Sequence, residues 1–217
     1  MTGDDHVLTL TDDAIAQLAV QLTLAAQRVT AGRYLLGITG IGGAGKTTLA
    51  AQLAAATSVR AAVIGQDGFH LTNTQLEARG LRDRKGAPET FDVDAFPDLL
   101  DAVRAARDTV LYPVYDRALH EPAMSGCIDA QTLLVIVEGN DLLNDAGPWR
   151  RVGAALHACW YLDTPMQTAR QWIIARHVRG GRTQQDAAAH YQRVDAVNAR
   201  RIATYRARAD RVLHWPR

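Results

Sequence analysis

The chain has 217 residues and a formal net charge of +1, with 24 basic side chains against 23 acidic ones, so no strong field points toward nucleic acid or an anionic membrane. Apolar residues make up 47% and charged residues 22%, a globular composition that argues against disorder and, at this length, suits one domain over residues 1–217. No apolar run reaches the roughly 18 residues that span a bilayer, residues 1–7 lack a signal-peptide pattern, and Cys127 and Cys159 have no metal-ligand spacing, which together make a reducing cytoplasm the expected location.

Taken in chain order, Thr11 caps a helix over about residues 11–31, in which Ile15, Leu18, Leu22, Ala25, Ala26 and Val29 recur at helical spacing and Gly32 fits the stop. Tyr34–Thr39 (YLLGIT) reads as a buried strand opening into glycines, and Lys46–Ala56 as an Ala/Leu-rich helix. Residues 61–66 form a second strand ending at Asp67-Gly68, and residues 70–90 a long polar connection of the kind that is usually functional. Asp94 is expected to cap a helix through Arg107, with Pro97 tolerated in its first turn. Residues 110–115 make a weaker strand whose Pro113 implies an edge or a bulge. Residues 132–137 (TLLVIV) are the clearest buried strand, followed by Glu138-Gly139, and residues 158–162 are another. Thr164-Pro165 starts a helix running to about Arg179, where Gly180-Gly181 breaks it. A further helix covers residues 184–208, and residues 211–215 are a last strand.

Strands alternating with helices predict an α/β fold with a mainly parallel sheet, five strands wide, covered on both faces. Ligands of such sheets bind outside the carboxyl ends of the strands. The loop from Gly40, Asp67, Asp116 and Glu138 are therefore expected to converge.

Gly40-Ile41-Gly42-Gly43-Ala44-Gly45-Lys46-Thr47 matches G-x-x-x-x-G-K-[ST] in full, between a strand and a helix. Glycines let backbone N–H groups turn inward around phosphates, and the helix that follows directs its positive end at the same oxygens. Lys46 supplies a compact charge for the β- and γ-phosphates and Thr47 a hydroxyl for Mg²⁺, with Thr48 a further nucleotide-binding candidate in the first turn of the helix. Only two of the 24 basic residues are lysines, Lys46 and Lys85, so no N-K-x-D guanine motif exists. Nor is there an L-S-G-G-Q-type transporter signature. A small-molecule kinase would need, besides this loop, a base near the γ-phosphate, a metal-supporting acid, an acceptor pocket and a water-excluding lid.

The phosphate loop, Asp67-Gly68-Phe69-His70, the stretch from Arg82 to Asp92, Pro113-Val114-Tyr115-Asp116, Glu138-Gly139-Asn140 and Arg176-His177 follow one another in an order that resembles the phosphoribulokinase/uridine kinase family. That family includes bacterial pantothenate kinase and nicotinamide riboside kinase; its bacterial nucleoside/fructose kinase-like branch is the nearest match. The resemblance runs from about Tyr34 to Pro216. It implies a P-loop kinase fold, ATP, Mg²⁺ and a small hydroxylated acceptor, which uridine, pantothenate, nicotinamide riboside, fructose or a phosphoribulose-like sugar would all satisfy.

The resemblance assigns the catalytic base to Asp67, the alternative being a chain turn with Gly68, and a Mg²⁺-supporting acid to Glu138. Asn140 would bond the acceptor or a metal water, or form an Asx turn. His70 lies beside the base and suits a hydroxylated acceptor. Arg82, Arg84 and Lys85 contact acceptor or phosphate, or form a solvated charge run. Asp92 resembles a family acid that bonds acceptor hydroxyls, with helix capping as its rival role. Tyr115, Asp116 and His120 (Y-D-x-x-x-H) resemble the uridine kinase segment that meets the base, although Arg117-Ala118-Leu119 departs from it. Arg176, Arg179 and Arg182 around Gly180-Gly181 would form a lid over about residues 170–190, Arg176 closing on the transferring phosphate and Arg179 on the nucleotide; Gln171 stands where relatives often carry another arginine. A nucleotide-binding regulatory module without acceptor turnover is the alternative function. The C-terminal arginines are interrupted by Asp186, Asp195 and Asp210, which argues against a nucleic-acid stripe. Symmetry statistics alone make a homodimer the default assembly.

Overall fold

A computed structural model describes residues 7–216; residues 1–6, the bulk of the stretch read for a signal peptide, and Arg217 lie outside them. β1 (Val7–Thr9) leads into α1 (Asp12–Arg28), which Thr11 caps by accepting from the Ala14 N–H at 3.1 Å. The helix stops short of residue 31 because Arg107 donates to the Val29 and Gly32 carbonyls, at 2.9 and 2.7 Å, and holds the chain extended there. β2 (Tyr34–Thr39), α2 (Lys46–Ala56) and β3 (Ala61–Gly65) follow as expected. Gln66 leaves the strand for a 3₁₀ turn over Gln66–Phe69. The polar connection folds into α3 (Asn73–Ala78), started by a reciprocal Thr72–Gln75 capping box.

α4 (Ala95–Ala105) is capped by Asp92 rather than Asp94. Asp92 Oδ1 accepts from the Ala95 N–H at 2.9 Å, whereas Asp94 makes no side-chain cap bond. β4 (Val110–Asp116) pairs antiparallel with β5 (Glu121–Ile128) in a separate two-stranded sheet. Its register shifts between Tyr112 and Pro113, so the expected bulge exists, but not in the main sheet. β6 (Leu134–Gly139), α5 (Arg150–Ala155), β7 (Ala158–Asp163), α6 (Met166–Arg179), α7 (Gln184–His190), α8 (Ala196–Ala203) and β8 (Arg211–His214) complete the described residues.

The main sheet has six parallel strands in the order β1-β8-β7-β2-β6-β3, one more than the five expected. The addition is β1, three residues paired with β8 (Val7 opposite Val212) and too short to carry a periodic signal. Alternate residues of the central strands serve two cores. Leu36, Ile38, Leu134 and Ile136 pack with α1 and α2 through Leu18, Leu22, Leu49 and Leu53. Leu35, Val135 and Val137 pack with Phe96, Leu100 and Val103 of α4 and Val152 of α5. Both faces of β6 are thereby buried, which is why its sequence is an unbroken apolar run. Register then sets the site: Gly65 lies opposite Glu138, and Thr39 opposite Gly139. The chain leaves β2, β3 and β6 at one edge.

Candidate active site at the carboxyl edge of the sheet

The loop from Gly40 to Gly45 joins β2 to α2. Gly43 takes φ +76°, and a Cβ there would sit 2.6 Å from the Ala169 carbonyl; the loop therefore lies hard against α6 in a backbone conformation that favours glycine. Thr164 donates its hydroxyl to the Ala44 carbonyl at 3.0 Å, so it secures the loop instead of capping α6 as expected. Lys46 is 7% exposed. Its Nζ donates to Gly40 O at 2.9 Å, Ile41 O at 3.0 Å and Asn140 Oδ1 at 2.7 Å. Burial lowers the lysine's pKa, while the Glu138 and Asp67 carboxylates pull it back up.

Thr47 Oγ1 donates to Glu138 Oε1 at 3.2 Å. Burial raises the Glu138 pKa despite the opposing charge of Lys46. A buried carboxylate short of positive charge, with a threonine hydroxyl beside it, is a donor set that fits Mg²⁺. The glycine-lined turn and Lys46 likewise fit a polyphosphate.

Asp67 is half-buried in the 3₁₀ turn after β3. It is close enough to act electrostatically on Lys46, Glu138, His70, Lys85 and Tyr115. Its own carbonyl accepts from the His70 ring Nδ1 at 2.8 Å. Burial lowers the His70 pKa, and the ring lies against Phe91 and Tyr115, with centroids 4.0 and 5.3 Å away. Lys85 sits over the Tyr115 ring at 5.1 Å and donates to Asn73 Oδ1 at 3.0 Å and His120 O at 2.6 Å. Asp67, His70, Lys85 and Tyr115 thus form one cluster beside the phosphate loop.

Other expected residues lie elsewhere or are engaged otherwise. Arg84 is paired with Glu89 at 2.6 Å on the surface, and Arg82 with Glu77. Asp92 caps α4 with one oxygen. Asp116 Oδ1 accepts from the Ala118 and Leu119 N–H groups at 2.7 and 3.0 Å, closing the β4–β5 turn. His120 is exposed in that turn at φ +54°, and its carbonyl holds Lys85. Asn140 faces Lys46. Arg176 and Arg179 are exposed in the last turn of α6, where cations suit the helix end; Arg176 also acts electrostatically on Lys46.

Two features escape the sequence reading. Trp172 and Trp215, with Gly45 and Thr48, line a cleft of about 190 Å³ beside the phosphate loop. The signal available was one of four tryptophans placed on the lid helix. The second is Asp141, fully buried after Asn140. It accepts from Arg201 and from Gln66 Nε2 at 3.3 Å, while its backbone N–H donates to Gln66 Oε1 at 2.9 Å. This network ties α8 and the turn after β3 to the segment that leaves β6 just beyond Glu138 and carries Asn140.

No protein-family model matches the chain. The "Putative uridine kinase" of Schizosaccharomyces pombe is 33% identical over 202 residues, 86% of this chain and 83% of that protein. The "Uncharacterized protein YggC" of Escherichia coli is 40% identical over 136 residues, 63% of this chain and 56% of that protein. The pantothenate kinase of Streptomyces avermitilis is 32% identical over 66% of this chain and 47% of its own length. The chain therefore spans only about half the length of some curated relatives. A solved "putative fructose transport system kinase" from a Silicibacter species superposes with a TM-score of 0.83 at 39% identity, over 93% of this chain and 98% of that one.

Proposed function

Because the chain belongs to the phosphoribulokinase/uridine kinase family of P-loop kinases, we propose that it transfers the γ-phosphoryl group of ATP to a hydroxyl of a small metabolite. The observation that carries this reading is the shared neighbourhood of Asp67, Lys46 and Glu138 at the edge where β2, β3 and β6 end. A proton acceptor, a phosphate cation and a metal-supporting acid around one volume would meet the demands of phosphoryl transfer.

ATP would lie with its phosphates on the loop amides of Gly40, Gly42, Gly43, Ala44 and Gly45, and its base in the cleft between Trp172 and Trp215. Lys46 would exchange the Gly40 and Ile41 carbonyls for phosphate oxygens while Asn140 keeps it aimed. Mg²⁺ held by Thr47 and Glu138 would neutralise charge on the β- and γ-phosphates. Asp67 would accept the proton of the acceptor hydroxyl as its oxygen bonds to phosphorus and ADP leaves. His70, Lys85 and Tyr115 would wall the acceptor side, and Arg176 and Arg179 would close over the phosphates as a lid. Arg82, Arg117, Asp67 and Glu121 all act electrostatically on this wall, a mixed-charge lining that suits a polar hydroxylated acceptor of the nucleoside, sugar or pantothenate-like kind.

Among the described residues no helix is long and apolar enough to cross a membrane, and Cys127 and Cys159 are unpaired by disulfide, which suits the cytoplasm. The test is ADP release with ATP and Mg²⁺ over panels of nucleosides, sugars, sugar acids and vitamin precursors, run with wild type and Asp67→Asn. Acceptor-dependent release that falls by about 10²–10⁴ in the variant, with ATP binding retained, supports the assignment. Undiminished release in Asp67→Asn removes Asp67 as the base, and ATP binding with no acceptor-dependent release leaves a regulatory nucleotide binder.

A further inference from the structure

His177 stands in the last turn of α6, His190 at the end of α7, and Asp195 at the end of a π-helical turn (Tyr191–Asp195) that joins α7 to α8. One potential ligand atom from each of the three lies within 4.8 Å of the other two. His177 Nε2 and Asp195 Oδ2 are 3.2 Å apart, and the two imidazoles meet edge to face with centroids 4.9 Å apart. All three side chains are half-buried, beside the apolar cluster of Ile173, Ile174, Ala187, Tyr191 and Ala196.

We propose that His177, His190 and Asp195 form a binding site for a transition-metal dication of the zinc type, with water completing the shell. Ligands at about 2.0–2.2 Å from a tetrahedral Zn²⁺ stand roughly 3.3 Å from one another. The His177–Asp195 pair is already at that spacing, and His190, with a ring nitrogen within 4.8 Å of both, completes three protein ligands by closing on the ion. Two imidazoles and one carboxylate select zinc, nickel, copper or cobalt over Mg²⁺ and Ca²⁺, which prefer all-oxygen shells. The site is thus chemically distinct from the Thr47–Glu138 pair. The π-helical turn supports it, because such insertions concentrate at functional positions, and this one carries Asp195 to the end of α6. Arg182 and Arg193 act electrostatically on His190 and oppose a dication, so the affinity is expected below that of closed four-ligand zinc sites. An ion there cross-links α6 to the α7–α8 segment and restrains the turn that bears Arg176 and Arg179.

The experiment is Zn²⁺ uptake by the full chain in competition with a chromogenic chelator, with Co²⁺ as a spectroscopic probe and thermal unfolding as a second readout. Wild type is expected to take up one Zn²⁺ at this site, to give visible Co²⁺ absorption of low-symmetry N/O coordination, and to melt at a higher temperature with zinc. His190→Ala and Asp195→Asn should each weaken uptake at least tenfold. Asp195→Asn keeps an amide oxygen that can accept from His177 while removing the ligand charge, and unchanged circular dichroism shows that either variant is folded. No uptake by wild type overturns the proposal, as does equal uptake by wild type and both folded variants.

Discussion

Glu138 stands among Lys46, Thr47 and Asp67, yet its burial still lifts its pKa above the usual carboxylate range. The folded chain therefore binds more protons than the unfolded one between the two pKa values. Its contribution to stability is fully present below the unfolded value and is lost as pH rises through the folded one. The ionised form of this buried carboxylate is a cost in the nucleotide-free protein that a bound cation would offset. Glu138→Gln should raise the melting temperature of the nucleotide-free protein at pH 7 and lower Mg²⁺-dependent turnover about 10²-fold; calorimetry at pH 5 and 7, with and without Mg²⁺, checks the sign. Asp141 presents the opposite case, a fully buried carboxylate already paired with Arg201. Asp141→Ala should destabilise by about 3 kcal/mol, the lower end for a broken buried pair because Arg201 keeps partial access to water. Urea unfolding gives the value. Asp92 shows what residue-scale reading leaves open: its sequence context allowed both acceptor binding and capping, and only the position of the Ala95 N–H selects capping for one oxygen.

The β4–β5 hairpin is held to the turn after β3 by an absent side chain. A Cβ on Gly68 would fall 2.0 Å from the Pro113 carbonyl, a backbone atom that cannot step aside. Gly68→Ala should therefore push the hairpin from the Asp67 turn and cost about 1–3 kcal/mol. Tyr115 and the carbonyl partner of Lys85 move with the hairpin, whereas the phosphate loop is anchored independently through Thr164 and Asn140. The acceptor's KM should then rise several-fold with little change in the KM for ATP, a split that steady-state kinetics resolves. As an element this hairpin was half legible. Pro113 announced an interruption, but the partner strand carries Pro122, Ser125 and Gly126, and pairing between two weak segments leaves little trace in local pattern.

Across the whole molecule, the three central chain ends meet because parallel strands in register finish together, and the two cores on either side hold that register. A ligand that bridges the phosphate loop, α6 and the region after β8 binds only the folded chain. ATP at 100 times its dissociation constant should therefore stabilise the wild type by about 2.7 kcal/mol. Lys46→Ala should lose most of that gain at the same ATP concentration while keeping its own fold, since the lysine's partners are loop carbonyls and an amide outside the apolar cores. Differential scanning fluorimetry over an ATP series distinguishes the two.

Local chemistry by itself determined the phosphate loop, the apolar strands β2, β3 and β6, and the helices α1, α2 and α6. Each of these is written in short runs of residues whose spacing has one physical use. Tertiary structure alone decided that β1 joins the sheet, that β4 leaves it, that Asn140 faces Lys46 and that Trp172 meets Trp215 across a cleft. It also decided that His177, His190 and Asp195 converge. These pairings join residues far apart in the chain or depend on which side of a turn a side chain leaves, and no periodicity along the backbone encodes a meeting made only by packing.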